Sequence, residues 1–317
     1  MNSLEGNENQ SQIKALEWEL IILAKKYKNL VVLNADFGTK FGMNKFSEIY
    51  DKQYFNLGLQ EANMAGVAAG LFLRGKVPFI LGLANFCVGR AWEQIRDLIC
   101  YPNLNVKIVS CGSGFKGGDD GVGYKALEDI AIMRALPNMK IICPADHCET
   151  LSAISVAFAS YGPVYLRLSE GEFPAIFENE CKFEFGKSRI LREGKDVCIF
   201  TMGAMASVVM KATEILKRNG VEAGIVNISS IKPIDAETIV KAAKPVGFAV
   251  TVEDHNIIGG LGSAVAEVLG ENCPVKLKRI GIEDKFGESG KWTDLYKKHG
   301  LNLEGVAEKI MDFIKNP

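Results

Sequence analysis

The feature that most constrains the fold is an alternation of short apolar strands with helical segments, which runs through the chain twice. The first series predicts buried strands at 30–33, 77–80, 106–110, 140–143 and 164–168, with helices between them. Strands of this kind, each followed by a helix, are typical of a mostly parallel sheet that helices cover on both faces.

A second alternation begins with a strand at 196–201 and ends with a helix at 303–314. Residues 170–187 lie between the two series, break the rhythm and are interpreted as a linker. The chain has 317 residues, which is enough for two cores. We therefore predict an α/β protein of two doubly wound domains, at 11–175 and 190–315.

Composition narrows the possible partners and compartment. The net charge is -1 and 24% of residues are charged, which argues against nucleic acid and acidic membrane surfaces as partners. Apolar runs stop well short of about 18 residues, so we predict no membrane span. The start, MNSLEGNENQSQ, fits neither a signal nor a transit peptide, and about the first ten residues are expected to be disordered. Eight scattered cysteines without a C-x-x-C pair indicate buried free thiols in a reducing cytoplasm rather than a metal cluster.

One carboxylate stands at a predicted turn between a strand and a helix. Residues 54–57 predict a short strand, and from Glu61 small residues recur at helical spacing, as in a helix packed tightly on its neighbours. Apolar sequence lies on both sides of Glu61, and a buried acid is costly unless a partner shares its proton. Spacing alone favours a simpler interpretation, a helix carboxylate stabilised by the helix dipole.

The segment 58–71 resembles the pyrimidine-binding domain of transketolases, specifically that of the shorter subunit of split transketolases. The family pattern reads roughly G-[IL]-x-E-x-N-M-x-x-x-A-x-G-L. The matching residues are Gly58, Glu61, Asn63, Met64, Ala68, Gly70 and Leu71. The resemblance continues through GRAWEQIR, ALEDIAIMRALPNM and EDHNIIGGLGSAVAEVL, and it covers residues 14–314. It implies a pyrimidine-binding domain followed by a transketolase C-terminal domain.

The resemblance also implies thiamine diphosphate as the cofactor. It assigns to Glu61 the sharing of a proton with a nitrogen of the aminopyrimidine ring. Phe86, in GLANFCVGR, falls on a position where an aromatic ring stacks on the pyrimidine, while Leu83 and Gly89 occupy two other aromatic positions. Asp36, in the turn after the first strand, and Leu83 are predicted to contact the cofactor with Phe86. A structural acid and an ordinary core phenylalanine remain the alternatives for Glu61 and Phe86.

The glycine-rich loop CGSGFKGGDDGVGY, at 111–124, departs from the family. Related enzymes carry a histidine where Gly112 stands, and a D-G-x-[ST]-H-Q signature where this chain has D-G-V-G-Y-K. Asp120 is kept, whereas Tyr124 and Lys125 replace histidine and glutamine. A tyrosine with its ordinary pKa near 10 is a poor proton shuttle at neutral pH. We predict these three residues as substrate contacts, with a flexible backbone cradle as the alternative.

A further departure lies after the strand at 164–168. Sugar-phosphate transketolases carry an arginine there that holds the acceptor phosphate, whereas this chain has Glu170. A carboxylate would repel a dianionic phosphate in a poorly solvated site. The cofactor residues are therefore kept and the substrate residues changed. Of the three histidines, we predict structural or exposed positions for His147 and His299, and a mainly architectural role for His255.

The diphosphate half of the site is missing from the sequence. Thiamine enzymes hold the diphosphate through Mg²⁺, with a G-D-G motif followed about 25–30 residues later by asparagine. Here the only similar run, Gly118-Asp119-Asp120-Gly121, lies in the wrong domain. We predict no metal site in this chain. The resemblance implies an N-terminal transketolase subunit that supplies the diphosphate site and Mg²⁺, in a two-plus-two heterotetramer.

The function implied by the resemblance is ketol transfer in carbohydrate metabolism. A cytoplasmic transferase, active only with its partner subunit, would move a two-carbon ketol unit from a ketose to a carbonyl acceptor. The changed loop favours an atypical sugar: non-phosphorylated, modified or nucleotide-linked. The alternatives are the β subunit of a 2-oxoacid dehydrogenase, which shares the fold and the glutamate, and a non-catalytic assembly subunit.

Overall fold

The computed structural model describes residues 9–177 and 181–316, without the side chains of 9, 10 and 117–119. The strands are β1 (Asn9–Ser11), β2 (Leu30–Asn34), β3 (Tyr54–Asn56), β4 (Val77–Leu83), β5 (Lys107–Cys111), β6 (Lys140–Ile142), β7 (Val164–Arg167), β8 (Glu172–Pro174), β9 (Arg189–Arg192), β10 (Val197–Thr201), β11 (Ala223–Asn227), β12 (Ser230–Lys232), β13 (Phe248–Asn256) and β14 (Lys276–Ile282). The helices are α1 (Gln12–Lys26), α2 (Asn44–Ile49), α3 (Glu61–Leu73), α4 (Trp92–Gln94), α5 (Asp129–Arg134), α6 (His147–Ala159), α7 (Met205–Arg218), α8 (Ala236–Ala243), α9 (Leu261–Asn272), α10 (Trp292–Lys298) and α11 (Leu303–Lys315).

Two parallel sheets follow each other along the chain, which confirms the predicted fold class. The first has seven strands in the order β12-β6-β7-β5-β4-β2-β3, and the second has five in the order β14-β13-β10-β11-β9. One edge strand of each sheet, β12 and β9, runs antiparallel to its neighbour. Although β12 follows β11 in the chain, it joins the first sheet rather than the second, so the two domains share a strand connection.

Alternate residues of the central strands bury opposite faces of the first sheet. In β2, Val31 and Leu33 pack in one core with Met64 of α3, whereas Leu30 and Val32 belong to a second core that includes residues of α1. A strand buried on both faces needs a continuous apolar run, which is why β2 reads Leu-Val-Val-Leu. Because β2, β4, β5 and β7 are parallel, their carboxyl ends meet at one edge of the sheet.

Residues 9–11 are ordered, contrary to the disorder expected for about the first ten residues. They form β1, which pairs antiparallel with β8 inside the predicted linker, from Asn9 opposite Pro174 to Ser11 opposite Glu172. No apolar run marks these residues, because a short two-stranded ladder is joined through its main chain. Residues 1–8 lie outside the described residues. No helix in the described part of the chain is long and apolar enough to cross a membrane.

The helical segment that follows β4 is irregular. A π-helical turn at Asn85–Arg90 follows β4 directly, α4 comes next, and a second π-helical turn spans Ile95–Cys100. A π turn carries an extra residue within the helix, and such turns are frequent at functional sites. The irregularity lies directly beside the carboxyl edge of the first sheet.

Candidate active site at the carboxyl edge of the first sheet

Glu61 is the first residue of α3 and its side chain is fully buried, 0% exposed. One carboxylate oxygen, Oε2, accepts a hydrogen bond from Nη1 of Arg90 at 3.0 Å. The other oxygen, Oε1, is buried without a hydrogen-bond partner among the described residues. A buried carboxylate that is satisfied on one oxygen only retains a costly, unused acceptor. The site can therefore accept a further donor.

Arg90 and Phe86 form the outer wall of this site. The Arg90 side chain is 54% exposed, and its guanidinium carbon lies 4.5 Å from the centre of the Phe86 ring. Tyr124 approaches the same ring edge-on at 5.2 Å, and Phe37 lies 6.2 Å from it. Phe86 is half-buried, and the guanidinium over its ring is the group that also pairs with Glu61. We call the place between Glu61 and Phe86, which the Arg90 guanidinium occupies, the crevice.

The π-helical turn places Phe86 by packing closely on β4. A Cβ atom added to Gly82 would lie 2.7 Å from Cβ of Cys87, so only glycine lets the turn lie directly on the strand. Asn85 donates a hydrogen bond to the carbonyl oxygen of Gly123 at 2.6 Å, which ties the turn to the glycine-rich loop. Burial, and then the nearby Glu61, raises the pKa of the Cys87 thiol to about 12, so this thiol stays protonated.

The predicted cofactor residues Asp36 and Leu83 lie at the same sheet edge. Asp36 has a left-handed backbone, with φ at 66°, and is exposed. Its backbone N–H donates to Oδ1 of Asn56 at 3.1 Å, and Nδ2 of Asn56 donates to Oδ1 of Asp36 at 3.0 Å, which ties together the ends of β2 and β3. Leu83 is buried and lies in register with Cys111. It contributes apolar surface to the floor of the sheet edge.

The three predicted substrate residues have different surroundings. Tyr124 borders the crevice through Phe86, and Asp120 is exposed on the glycine-rich loop. Lys125 is buried, and its aliphatic stem passes so close to Gly287 of the second domain that a Cβ there would come within 2.5 Å of it. The structure thus brings Tyr124 to Phe86 and places Lys125 against the second domain.

Glu170 has a cationic neighbour that the sequence did not predict. Nζ of Lys40, in the loop after β2, lies 3.5 Å from Oε1 of Glu170, and both side chains are partly buried. Burial, together with the charge of Glu170, raises the pKa of the Cys111 thiol well above its usual value. The negative charge of Glu170, which follows β7, is therefore balanced by the positive charge of Lys40. The sequence feature that could have indicated this pair is the position of Lys40 in the loop that follows β2.

A second set of buried charges joins the two domains. Arg167, at the end of β7, donates from Nε to Oδ2 of Asp129 at 2.9 Å and from Nη1 to Oδ1 of Asp254 at 2.6 Å. Tyr165 donates to the same Asp129 oxygen at 2.6 Å, and Tyr296 donates to Asp254 at 3.2 Å. Asp254 and Tyr296 belong to the second domain. We call these five residues the interdomain cluster.

His255 lies beside the interdomain cluster and is fully buried. The backbone N–H of Ala131 donates to its Nε2 at 3.4 Å, and its Nδ1 lies 2.6 Å from the carbonyl oxygen of Asn256. Burial lowers the pKa of His255, with Asp129 nearby opposing the change. Its polar neighbours are backbone groups, Asp129 of the cluster and Glu253, whose Oε2 lies 3.8 Å from Nδ1. His147 begins α6, and the His299 ring lies 4.8 Å from that of Phe115 in a tilted contact.

Comparisons with known proteins identify the family. Residues 9–175 match the family model described as transketolase, pyrimidine binding domain, and residues 186–306 match transketolase, C-terminal domain. A putative transketolase C-terminal section of Methanocaldococcus jannaschii is 48% identical, over 93% of this chain and 94% of the relative. A 6-deoxy-6-sulfo-D-fructose transketolase subunit of Clostridium sp. is 38% identical (91% and 89% covered), and a subunit of an apulose-4-phosphate transketolase of Phocaeicola vulgatus is 34% identical (93% and 95% covered).

Solved structures agree with these relatives. A structure described as a split gene transketolase, inactive beta4 tetramer, superimposes with a TM-score of 0.88 at 38% identity, covering 96% of this chain and 98% of that one. Transketolase from Leishmania mexicana superimposes with a TM-score of 0.81 at 24% identity, and the match spans 98% of this chain but 46% of that enzyme, which shows the shared fold. This chain therefore belongs to the transketolase family and consists of its pyrimidine-binding and C-terminal domains, as the resemblance predicted.

Proposed function

We propose that this chain is the pyrimidine-binding subunit of a split, thiamine-diphosphate-dependent transketolase. With its partner it moves a two-carbon ketol unit from a ketose to a carbonyl acceptor. One observation carries the proposal: a fully buried glutamate, with one oxygen unsatisfied, shares the Arg90 guanidinium with the face of a phenylalanine. Family membership supports the reaction class, and the geometry supports the assignment of Glu61.

The residues of the crevice fit the aminopyrimidine ring of the cofactor. Glu61 offers a carboxylate oxygen that lacks a donor, and Phe86 offers a flat ring for stacking. When bound, the cofactor supplies a stabilised carbanion, the chemistry that protein side chains lack. Glu61 accepts and holds a proton at the edge of the ring, and its burial keeps water from competing for that proton.

We propose that the diphosphate and Mg²⁺ are held by an N-terminal transketolase subunit, in a two-plus-two heterotetramer. In the described ranges no three His, Cys, Asp or Glu side chains converge in a way that could hold a metal ion. The similar split transketolase is described as inactive when it is a tetramer of β chains, which supports the need for a second kind of subunit.

For the substrate, we propose an atypical sugar whose far end is not recognised as a free phosphate dianion. The pair of Lys40 and Glu170 at the sheet edge carries no net charge and offers both donors and acceptors, which suits hydroxyl groups better than a dianion. Two relatives are named for unusual sugars, a sulfonated fructose and apulose 4-phosphate, which supports variation of the substrate within this group.

The test is a donor and acceptor screen of the complex formed with the N-terminal subunit. Wild type is expected to show thiamine-dependent ketol transfer, and Glu61→Gln is expected to lower turnover about 10²–10⁴-fold because the acceptor for the proton is lost. The matched control is Glu48→Gln, at an exposed position of α2, which is expected to be fully active. A fully active Glu61→Gln variant would remove Glu61 from the mechanism.

Other outcomes of the same screen would replace the proposal. Decarboxylation of pyruvate without ketol transfer would indicate the β subunit of a 2-oxoacid dehydrogenase. A stable complex that binds no thiamine diphosphate by calorimetry would indicate a non-catalytic assembly subunit.

A further inference from the structure

One side chain of this chain already contacts both walls of the crevice. The guanidinium of Arg90 donates to Oε2 of Glu61 at 3.0 Å while its carbon lies 4.5 Å from the centre of the Phe86 ring. Glu61 is 0% exposed and Arg90 is 54% exposed, so the cation covers the carboxylate from the solvent side. The guanidinium thus lies between the two residues that would hold the pyrimidine.

A guanidinium and an aminopyrimidine offer the same two contacts. A guanidinium is planar and weakly hydrated, it donates N–H groups within its plane, and it stacks on aromatic faces. A protonated aminopyrimidine is likewise planar, with N–H donors at its edge and a face that stacks on aromatic rings. The carboxylate of Glu61 and the ring of Phe86 satisfy either group. Oε1 of Glu61 is open in either case, but the face of Phe86 that the guanidinium covers cannot stack on a second planar group at the same time.

We propose that Arg90 is a place-holder in the crevice: in the free chain its guanidinium takes the position of the pyrimidine, and cofactor binding displaces it. This inference rests on the proposed function of Glu61 and Phe86. It explains how the chain keeps a fully buried carboxylate before its partner arrives, since an unpaired charge there would be destabilising. Displacement is feasible because more than half of the Arg90 side chain is exposed to solvent.

The place-holder lowers the affinity of the assembled enzyme for its cofactor, because the guanidinium must leave the face of Phe86, and with it Oε2 of Glu61, before the pyrimidine can stack there. Removing the guanidinium should therefore tighten binding, the opposite of what loss of a cofactor-binding residue would do. The pair combines a buried carboxylate with a half-exposed arginine, and such pairs contribute modestly to stability. We expect the gain in affinity to be about three- to tenfold.

The experiment is calorimetric titration of thiamine diphosphate, with Mg²⁺, into the two-subunit complex. Arg90→Gln is compared with wild type, with Arg90→Lys, and with the control Arg96→Gln. Arg96 lies in the neighbouring π-helical turn, is 57% exposed and pairs with the exposed Asp97, away from Glu61. The expected result is tighter binding by Arg90→Gln, an intermediate affinity for Arg90→Lys, which keeps the charge without the planar fork, and no change for Arg96→Gln.

Each remaining outcome has a distinct meaning. Weaker or unchanged binding by Arg90→Gln, with a wild-type complex that binds the cofactor, overturns the place-holder and leaves the proposed function standing. Weaker binding would instead identify Arg90 as a permanent support of Glu61. If the wild-type complex binds no thiamine diphosphate, the proposed function fails and the inference fails with it. Circular dichroism and thermal unfolding of each variant exclude misfolding as the cause.

Discussion

Two buried glutamates, one in each domain, differ in the groups that donate hydrogen bonds to them. Glu61 and Glu253 are both essentially inaccessible; Glu61 begins α3, whereas Glu253 lies inside β13. Glu253 accepts hydrogen bonds from the backbone N–H groups of Leu261 at 2.7 Å and Gly262 at 2.8 Å, at the start of α9. Glu61 receives one hydrogen bond, from the half-exposed side chain of Arg90, and keeps one oxygen without a partner among the described residues.

The difference shows that two equally buried acids can have different kinds of donor. Backbone donors at a helix start cannot leave without unfolding the helix, so Glu253 is fixed in a structural role. A side-chain donor that is exposed to solvent can leave, so Glu61 can exchange its partner for a ligand. The interdomain cluster resembles Glu253 in this respect, because its buried charges are satisfied by several groups that are themselves fixed in the fold.

The largest effect on stability is expected for Arg167→Met in the interdomain cluster. Loss of the guanidinium leaves Asp129 and Asp254 buried without their main cation, and the free energy of unfolding should fall by about 3–5 kcal/mol in urea titrations. The control is Arg192→Met, which removes a more exposed pair with Glu214 and should cost about 1 kcal/mol or less. Equal losses in the two variants would contradict a structural role for the cluster.

A smaller effect concerns the pH dependence contributed by Glu253. Burial raises the pKa of Glu253 to about 8, with the backbone donors of Gly262 and Leu261 opposing the change. The folded state then holds a proton that the unfolded state has released, so this contribution to stability is full below pH about 4.5 and is lost as pH rises through about 8. Glu253→Gln should flatten that decline, which unfolding measurements across pH 5–9 would show as a change of about 1–3 kcal/mol. Parallel curves for the two proteins would mean that the backbone donors keep Glu253 ionised.

Glu61→Gln should alter stability least of the buried-acid variants. Because its partner Arg90 is half exposed, the free energy of unfolding of the isolated chain should change by about 1 kcal/mol or less, despite the large loss of turnover proposed above. Urea unfolding of the chain without its partner measures this directly. A loss above about 3 kcal/mol would assign Glu61 to the same structural class as Glu253.

The smallest effect is expected for Lys40→Met at the sheet edge. Removing the ammonium leaves Glu170 without the cation that lies 3.5 Å away, and the pair is partly exposed. KM for the preferred donor should rise about two- to fivefold with kcat unchanged, because only substrate binding is affected. Steady-state kinetics of the two-subunit complex provide the measurement. A fall in kcat at constant KM would place Lys40 in the chemical step instead.

The fold was largely predictable because strands buried on both faces require continuous apolar runs, as in β2 and β4. Short polar elements escaped prediction: β1 and β8 pair through their backbones, and β12 crosses to the other domain. The π-helical turn at Asn85–Arg90 was also missed, since an extra residue in a helix leaves no periodic signature.

The residues of the candidate site also fall into two groups, those that local sequence predicts and those that only the fold reveals. The sequence predicts Glu61 and Phe86 as site residues because the resemblance rests on local motifs. Arg90 lies within the motif GRAWEQIR without being predicted as a site residue, and Lys40 was missed altogether. Each acquires a role only when the fold brings it to a residue distant in sequence. Lys125 was predicted as a substrate contact, but its neighbouring sequence gives no sign that Gly287 of the second domain lies against it.

The placement of β12 has a practical consequence for dissecting this protein. Its residues Ser230–Lys232 complete the hydrogen bonding of β6, and Nζ of Lys232 donates to the carbonyl oxygens of Arg134 and Leu136. A fragment ending at residue 175 would leave the main-chain groups of β6 open to another chain, a common route to aggregation. Expression of the first domain alone should therefore yield insoluble protein. A fragment that extends past residue 232 retains β12, which pairs with β6.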